Sequence, residues 1–151
     1  MKQLSILLLL ATLLGFTFTN CSSDNENINN ASIDGKWEFS QYGTGPVGKE
    51  VLNDRINATE CGKDYLEFLS DGTYKVVLFS KDNGKCSTSG DNGKYIKNGS
   101  TLSLIKANAE NLEPANSEII VLNETTLKIR ILSQIEKETV SEIVIFKKNI
   151  I

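Results

Sequence analysis

Three cysteines, nineteen acidic side chains and no histidine bound the chemistry open to this 151-residue chain. Without imidazole there is no His-based nucleophile triad, no His-liganded zinc site and none of the commonest general base near neutral pH. Cys61 and Cys86 stand in polar surroundings, "ATECGKD" and "NGKCSTS", that do not suit two separate buried thiols. In an oxidising compartment such a pair becomes a disulfide, and the lost loop entropy of the unfolded chain stabilises the fold by about 3.5 kcal/mol. Paired, neither is a nucleophile. Cys21 stands apart, after the apolar run "LSILLLLATLLGFTF" and before "SSDNEN".

Carboxylates are then the remaining catalytic class. Asp64 and Glu67 are three apart, which puts them on opposite faces of a strand, and Glu67 and Asp71 meet only if the intervening turn permits. Paired-acid catalysis needs two carboxyls at a set separation across a cleft, and neither pair offers that. "KDNGK" and "GDNGK" are rich in oxygen but lack the spacing of a calcium loop, and "GTGPVGKE" lacks the spacing of a phosphate-binding loop. These read as polar turns and a flexible loop. The expectation is no catalytic residue, no metal, no cofactor and no enzyme. Acidic and basic residues alternate to a net charge of −3 with no long basic run, so nucleic acid is not an expected partner.

The elements that would position any site begin after the first thirty residues. Met1-Lys2-Gln3 followed by the apolar run has the form of a secretion leader, and the run is short for a bilayer span of roughly 20 residues. The segment after Cys21 is too polar to fold alone. The expected division is a leader over 1–20, a tether over 21–31 and one domain over 32–151, long enough for one modest core.

Within that domain the apolar segments are short and bounded by turns. "GKWEFSQY" (35–42) alternates, with Trp37 and Phe39 on one face and Lys36 and Glu38 on the other. Residues 43–61 are rich in Gly, Pro and Asn and are expected to form a long connection, with at most one helical turn around 49–56. "DYLEFL" (64–69) and "TYKVVLFS" (73–80) flank Ser70-Asp71-Gly72, a hairpin signal because Gly accepts the positive φ of a tight reversal. "KDNGKCSTSGDNG" is expected to be a link. Asn98-Gly99 separates a strand around Tyr95 from one carrying Leu102 and Leu104, and Pro114 falls in a loop. "SEIIVL" (117–122), "TTLKIRIL" (125–132) and "VSEIVIFKK" (140–148) complete eight strands. Sequential strands without helical crossovers imply an all-β, eight-stranded antiparallel up-and-down barrel with a long loop after its first strand. "KVVLF", "EIIVL" and "EIVIF" are apolar on both faces, which implies either a covering by the 43–61 segment or an exposed interaction surface.

Four stretches in order, Gly35-Lys36-Trp37, "LEFLSDGTY", "GKYIKNGSTLSL" and "TTLKI", resemble the lipocalin-like domains of bacterial lipoproteins over roughly residues 32–148. "CSSDNEN" likewise resembles lipoproteins of the Bacteroidetes type. The resemblance implies a lipid such as palmitate on Cys21, where two or more acyl chains anchor stably. It also implies the bacterial outer membrane, facing the periplasm or the cell surface, with an envelope protein as a candidate partner. It further implies Trp37 as a core residue at the closed barrel end, with a basic residue of a late strand over it, for which Lys147 and Lys148 are the candidates. The expected function is a non-enzymatic envelope lipoprotein holding a small apolar or amphipathic ligand. Phe68, Tyr74, Val76, Tyr95, Leu102, Leu104, Leu127 and Ile129 are the candidate lining. Those side chains could equally fill the interior, which leaves a solid-cored structural or protein-interaction module as the alternative.

Overall fold

The structure is a computed structural model and describes residues 31–57, 60–107 and 114–148. Among the described residues ten strands are formed: β1 (Gly35–Pro46), β2 (Val51–Asp54), β3 (Tyr65–Phe68), β4 (Thr73–Asp82), β5 (Lys85–Ser89), β6 (Asn92–Asn98), β7 (Thr101–Lys106), β8 (Ala115–Leu122), β9 (Thr126–Ile135) and β10 (Glu138–Lys148). Eight of them pair in the order β10-β9-β8-β7-β6-β4-β3-β1, all antiparallel, and β1 returns to pair with β10. The result is the eight-stranded antiparallel barrel that the strand pattern predicts. Closure leaves these eight strands no free edge within the ring.

Two strands lie outside the ring, and both correct the sequence reading. Residues 43–61 hold no helical turn among those described. Instead β1 runs on to Pro46, stays paired with β10, and folds back through Lys49 N–H donating to the Pro46 carbonyl into β2. Gly43 permits this, because a Cβ there would lie 2.6 Å from the Val51 carbonyl oxygen. The link "KDNGKCSTSGDNG" contains β5, which pairs with the outer half of β4. Its turn is Asn83-Gly84, both at positive φ, 49° and 79°, as the commonest two-residue hairpin requires.

Register decides which face is core. Trp37 lies opposite Leu66, Phe68 opposite Tyr74, Tyr95 opposite Leu104, Ile119 opposite Ile129, and Leu122 opposite Leu127. Paired residues share a face, so these line one continuous inner wall. On the outer face Ile143 and Ser141 are also buried. Glu50, in the connection between β1 and β2, packs beside Ser141 and Arg130, so the 43–61 segment covers this part of the "EIVIF" strand.

Candidate functional site

All eight candidate lining residues fall on the inner wall and join one apolar cluster. Phe68, Tyr74, Leu102, Leu127 and Ile129 are buried, while Val76, Tyr95 and Leu104 keep part of their surface open. The rings of Phe68 and Tyr95 meet edge to face at 4.8 Å, and those of Phe39 and Phe146 meet at 4.5 Å.

One end of the barrel is sealed. Trp37 has no exposed surface, and its indole N–H donates to the Ile33 carbonyl at 2.6 Å. Lys148 Nζ sits 4.8 Å from the Trp37 ring centroid and donates to the Asp34 carbonyl at 2.7 Å. The basic residue over the tryptophan is therefore Lys148. Lys147 points to the other face and donates to Thr126 Oγ1, and Arg130 lies on the outside. The Tyr95 hydroxyl donates to Asp34 Oδ1 at 2.8 Å, with the Leu69 carbonyl at 3.2 Å. Burial, and then the Asp34 carboxylate, push its pKa up to about 12. Residues 31–34 thus cross the closed end as a plug.

Toward the opposite end the inner wall becomes more exposed. Along β1 and β10 the inner wall passes from Trp37 and Phe146 through half-buried Phe39 and Val144 to Tyr42, 47% exposed, and to exposed Glu142. The barrel is of the lipocalin type: an apolar inner wall, sealed at one end, suited to a small hydrophobic molecule.

The polar groups outside serve structure. Asp64 Oδ2 accepts from Arg55 at 2.7 and 3.1 Å and Oδ1 accepts from the Phe79 amide at 2.7 Å, so this acid does not meet Glu67. Asp71 accepts from the amide and hydroxyl of Thr73, which lower its pKa, and so closes the turn between β3 and β4. The Glu50 carboxyl is held down to about 2, first by the adjacent Ser141 hydroxyl, then by the backbone of Glu50 and Gly48, with Arg130 adding to the same effect. That hydroxyl stands close to the carboxylate without a well-aligned hydrogen bond, and Glu50 Oε1 is 3.9 Å from Arg130 Nε. Cys61 and Cys86 form a disulfide with Cα atoms 5.5 Å apart, which ties the loop before β3 to β5. Among the described residues no group of three or more His, Cys, Asp or Glu side chains could hold a metal ion. The structural roles of Asp34 and Arg55 were not expected from the sequence: the partner of Asp34, Tyr95, lies 61 residues away, and Arg55 meets Asp64 across a loop with no regular spacing.

A barrel of this kind defines a class, and the sequence places the chain within it. The family model of the lipocalin-like domain matches residues 33–129, so the chain belongs to that family. A search of curated proteins finds no match. Among solved structures the chain is similar to bovine odorant binding protein complexed with its natural ligand, at 17% identity, TM-score 0.45, covering 81% of this chain and 76% of that one. It is also similar to the bovine lipocalin allergen Bos d 2, at 15% identity, TM-score 0.44, covering 78% and 73%. Aphrodisin of the female hamster matches at 12% identity, TM-score 0.42, covering 79% and 76%.

These are mammalian proteins, not bacterial envelope lipoproteins. The expectations of a Bacteroidetes-type lipoprotein, of palmitate, and of the outer membrane are corrected to what the family model shows, the lipocalin-like family alone. The physical reason is that Trp37 serves the core and Gly35 and Gly72 serve positive-φ backbone positions, roles that carry no information about source or anchor. The partner expectation is corrected with them: the two described cysteines are joined internally and offer no lipid attachment, and Cys21 lies outside the described residues.

Proposed function

We propose that this protein binds a small apolar or amphipathic molecule inside the barrel, with Phe68, Tyr74, Val76, Tyr95, Leu102, Leu104, Leu127 and Ile129 as its lining. One observation carries the reading: the inner wall stays apolar as it goes from the sealed Trp37 end to the half-open ring of Phe39, Val76, Leu104 and Val144. Apolar surface left partly open at the inside of a closed wall is the condition for holding a ligand rather than only a core. The division into a leader over 1–20, a linker over 21–31 and the barrel domain over 32–151 belongs to the same proposal. The disulfide supports assembly in an oxidising compartment.

A second reading, a solid-cored interaction module, is favoured by the complete burial of Trp37, Leu102, Leu122 and Leu127, which leaves no room at the sealed end. Native mass spectrometry of the oxidised chain, compared with its denatured mass, separates the two. Excess mass released on denaturation is the expected result. A bare chain that also takes up no member of a panel of apolar probes would transfer the assignment to the solid-cored module.

A further inference from the structure

The outer wall carries a feature that the interior does not use. β4 pairs with β6 over only three residues, Thr73 to Lys75, and beyond them its outer half leaves the ring to pair with β5. Where the wall divides, a recess of about 600 Å³ opens, within the roughly 300–1,000 Å³ typical of small-molecule sites. Register places two rows of side chains on its outer face. Thr73, Lys94 and Ile105 form one row across β4, β6 and β7. Lys75 and Asn92 form the next, extended by Ala107, whose amide donates to the Asn92 carbonyl. Leu69 borders the recess and is 43% exposed, an apolar side chain that the core leaves outside.

Between these two rows the backbone carries Gly93, opposite Tyr74. A Cβ there would lie 1.9 Å from the Ile105 carbonyl oxygen, so β6 and β7 can approach this closely only with glycine. A second groove of about 570 Å³ continues past Lys75 and Asn92 toward Gly90, where a Cβ would meet the Val76 carbonyl oxygen at 1.9 Å.

The charge of the recess is one-sided. Lys106 is paired with Asp91 at 2.8 Å, whereas Lys75 and Lys94 make no ion pair among the described residues. Glu67 stands opposite Lys75 on β3 without bonding it. Lys75 and Lys94 are diagonal neighbours on one face, a separation of about 7–8 Å that two long side chains close around one anion. Apolar surface from Leu69, Ile105 and Ala107 lies beside them. Two free ammonium groups concentrated here, on a chain whose net charge is −3, are an arrangement that selects one ligand chemistry.

We propose that this outer recess is a second binding site, separate from the barrel interior, for an amphipathic anion. Its apolar chain lies along Leu69, Ile105 and Ala107, and its carboxylate is held between Lys75 and Lys94.

The test titrates the oxidised full chain with 11-(dansylamino)undecanoic acid and with the methyl ester of the same probe, which has no charge. The acid should bind on the order of tenfold more tightly than the ester, as charge-assisted hydrogen bonds to a carboxylate allow, and the preference should shrink as salt is added. Lys75→Gln with Lys94→Gln, both exposed, should abolish the preference and leave the circular dichroism unchanged. Ile105→Glu should weaken the acid by a similar factor. Amide shifts on adding the acid should centre on Lys75, Lys94, Ile105 and Ala107. Equal binding of acid and ester, a preference that survives the double substitution, or shifts confined to Leu127, Ile129 and their inner neighbours would each overturn the proposal. A barrel that is bare in native mass spectrometry but keeps the preference would remove the interior ligand and leave this site standing.

Discussion

Asp64 and Glu50 show how carboxylates that look available for chemistry are taken up by the fold. Asp64 is 1% exposed, with Arg55 and the Phe79 amide as its donors, while its own amide donates to Asn57 Oδ1. A buried acid needs such donors, because an unpaired charge taken from water costs several kcal/mol. Glu50 performs a related task on the outside, holding the connection between β1 and β2 against Ser141 and Arg130. Its folded pKa, about 2, lies below its ordinary value of 4.5. The stability it contributes is therefore fully present above about pH 4.5 and is lost as the pH falls toward 2. Glu50→Gln should lower stability near neutral pH and flatten the fall in urea midpoint across that acid window. An unchanged acid limb in the variant would assign the fall to other carboxylates.

At the scale of elements, β5 and the disulfide act together. β5 is exposed along its whole length and has one partner strand, so its pairing alone is weakly held. The bond from Cys86 to Cys61 closes a separation of 25 residues and fastens the hairpin to the loop before β3, beside the ion pair of Lys81 with Glu60. Reduction should cost about 3.5 kcal/mol by loop entropy, read as a lower denaturant midpoint. Hydrogen exchange should rise first in Phe79 to Ser89, while β9 and β10 keep their protection. Uniform loss of protection would show that the clamp supports the whole barrel. β5 was legible in hindsight from Asn83-Gly84, a two-residue hairpin signal, but the polar residues after it gave no alternation to read. β2 was less legible, since every residue in it is exposed and its pairing depends on where β1 continues.

For the whole molecule the decisive contact is the seam between β1 and β10, which spans Trp37 to Pro46 against Val140 to Lys148 with one irregularity between Phe39 and Gln41. β10 is bonded on both sides, to β1 and to β9, so it has no edge that could tolerate a missing amide. Ile145→Pro should therefore destabilise the barrel by about 3 kcal/mol or more, whereas Thr88→Pro on β5, outside the ring, should cost clearly less. Thermal melts of the two variants measure the difference. Equal losses would mean that closure is not what holds the ring.

The sequence by itself determined the strand class, the eight ring strands, the Asp71-Gly72 and Asn98-Gly99 turns and the inner face, because alternation and turn chemistry act within a few residues. It also brought Phe68, Tyr74, Tyr95, Leu104 and their neighbours to one wall, since the parity of each strand fixes its inward side. Only the tertiary structure decided that Lys148 covers Trp37, that Asp64 is bound by Arg55, and that Lys75 and Lys94 share a recess. The first depends on the register of β1 against β10, the second on β2 and β3 both pairing with β1, and the third on the register of β4 against β6. Those contacts are set by how the strands pair rather than by the residues beside them in the chain.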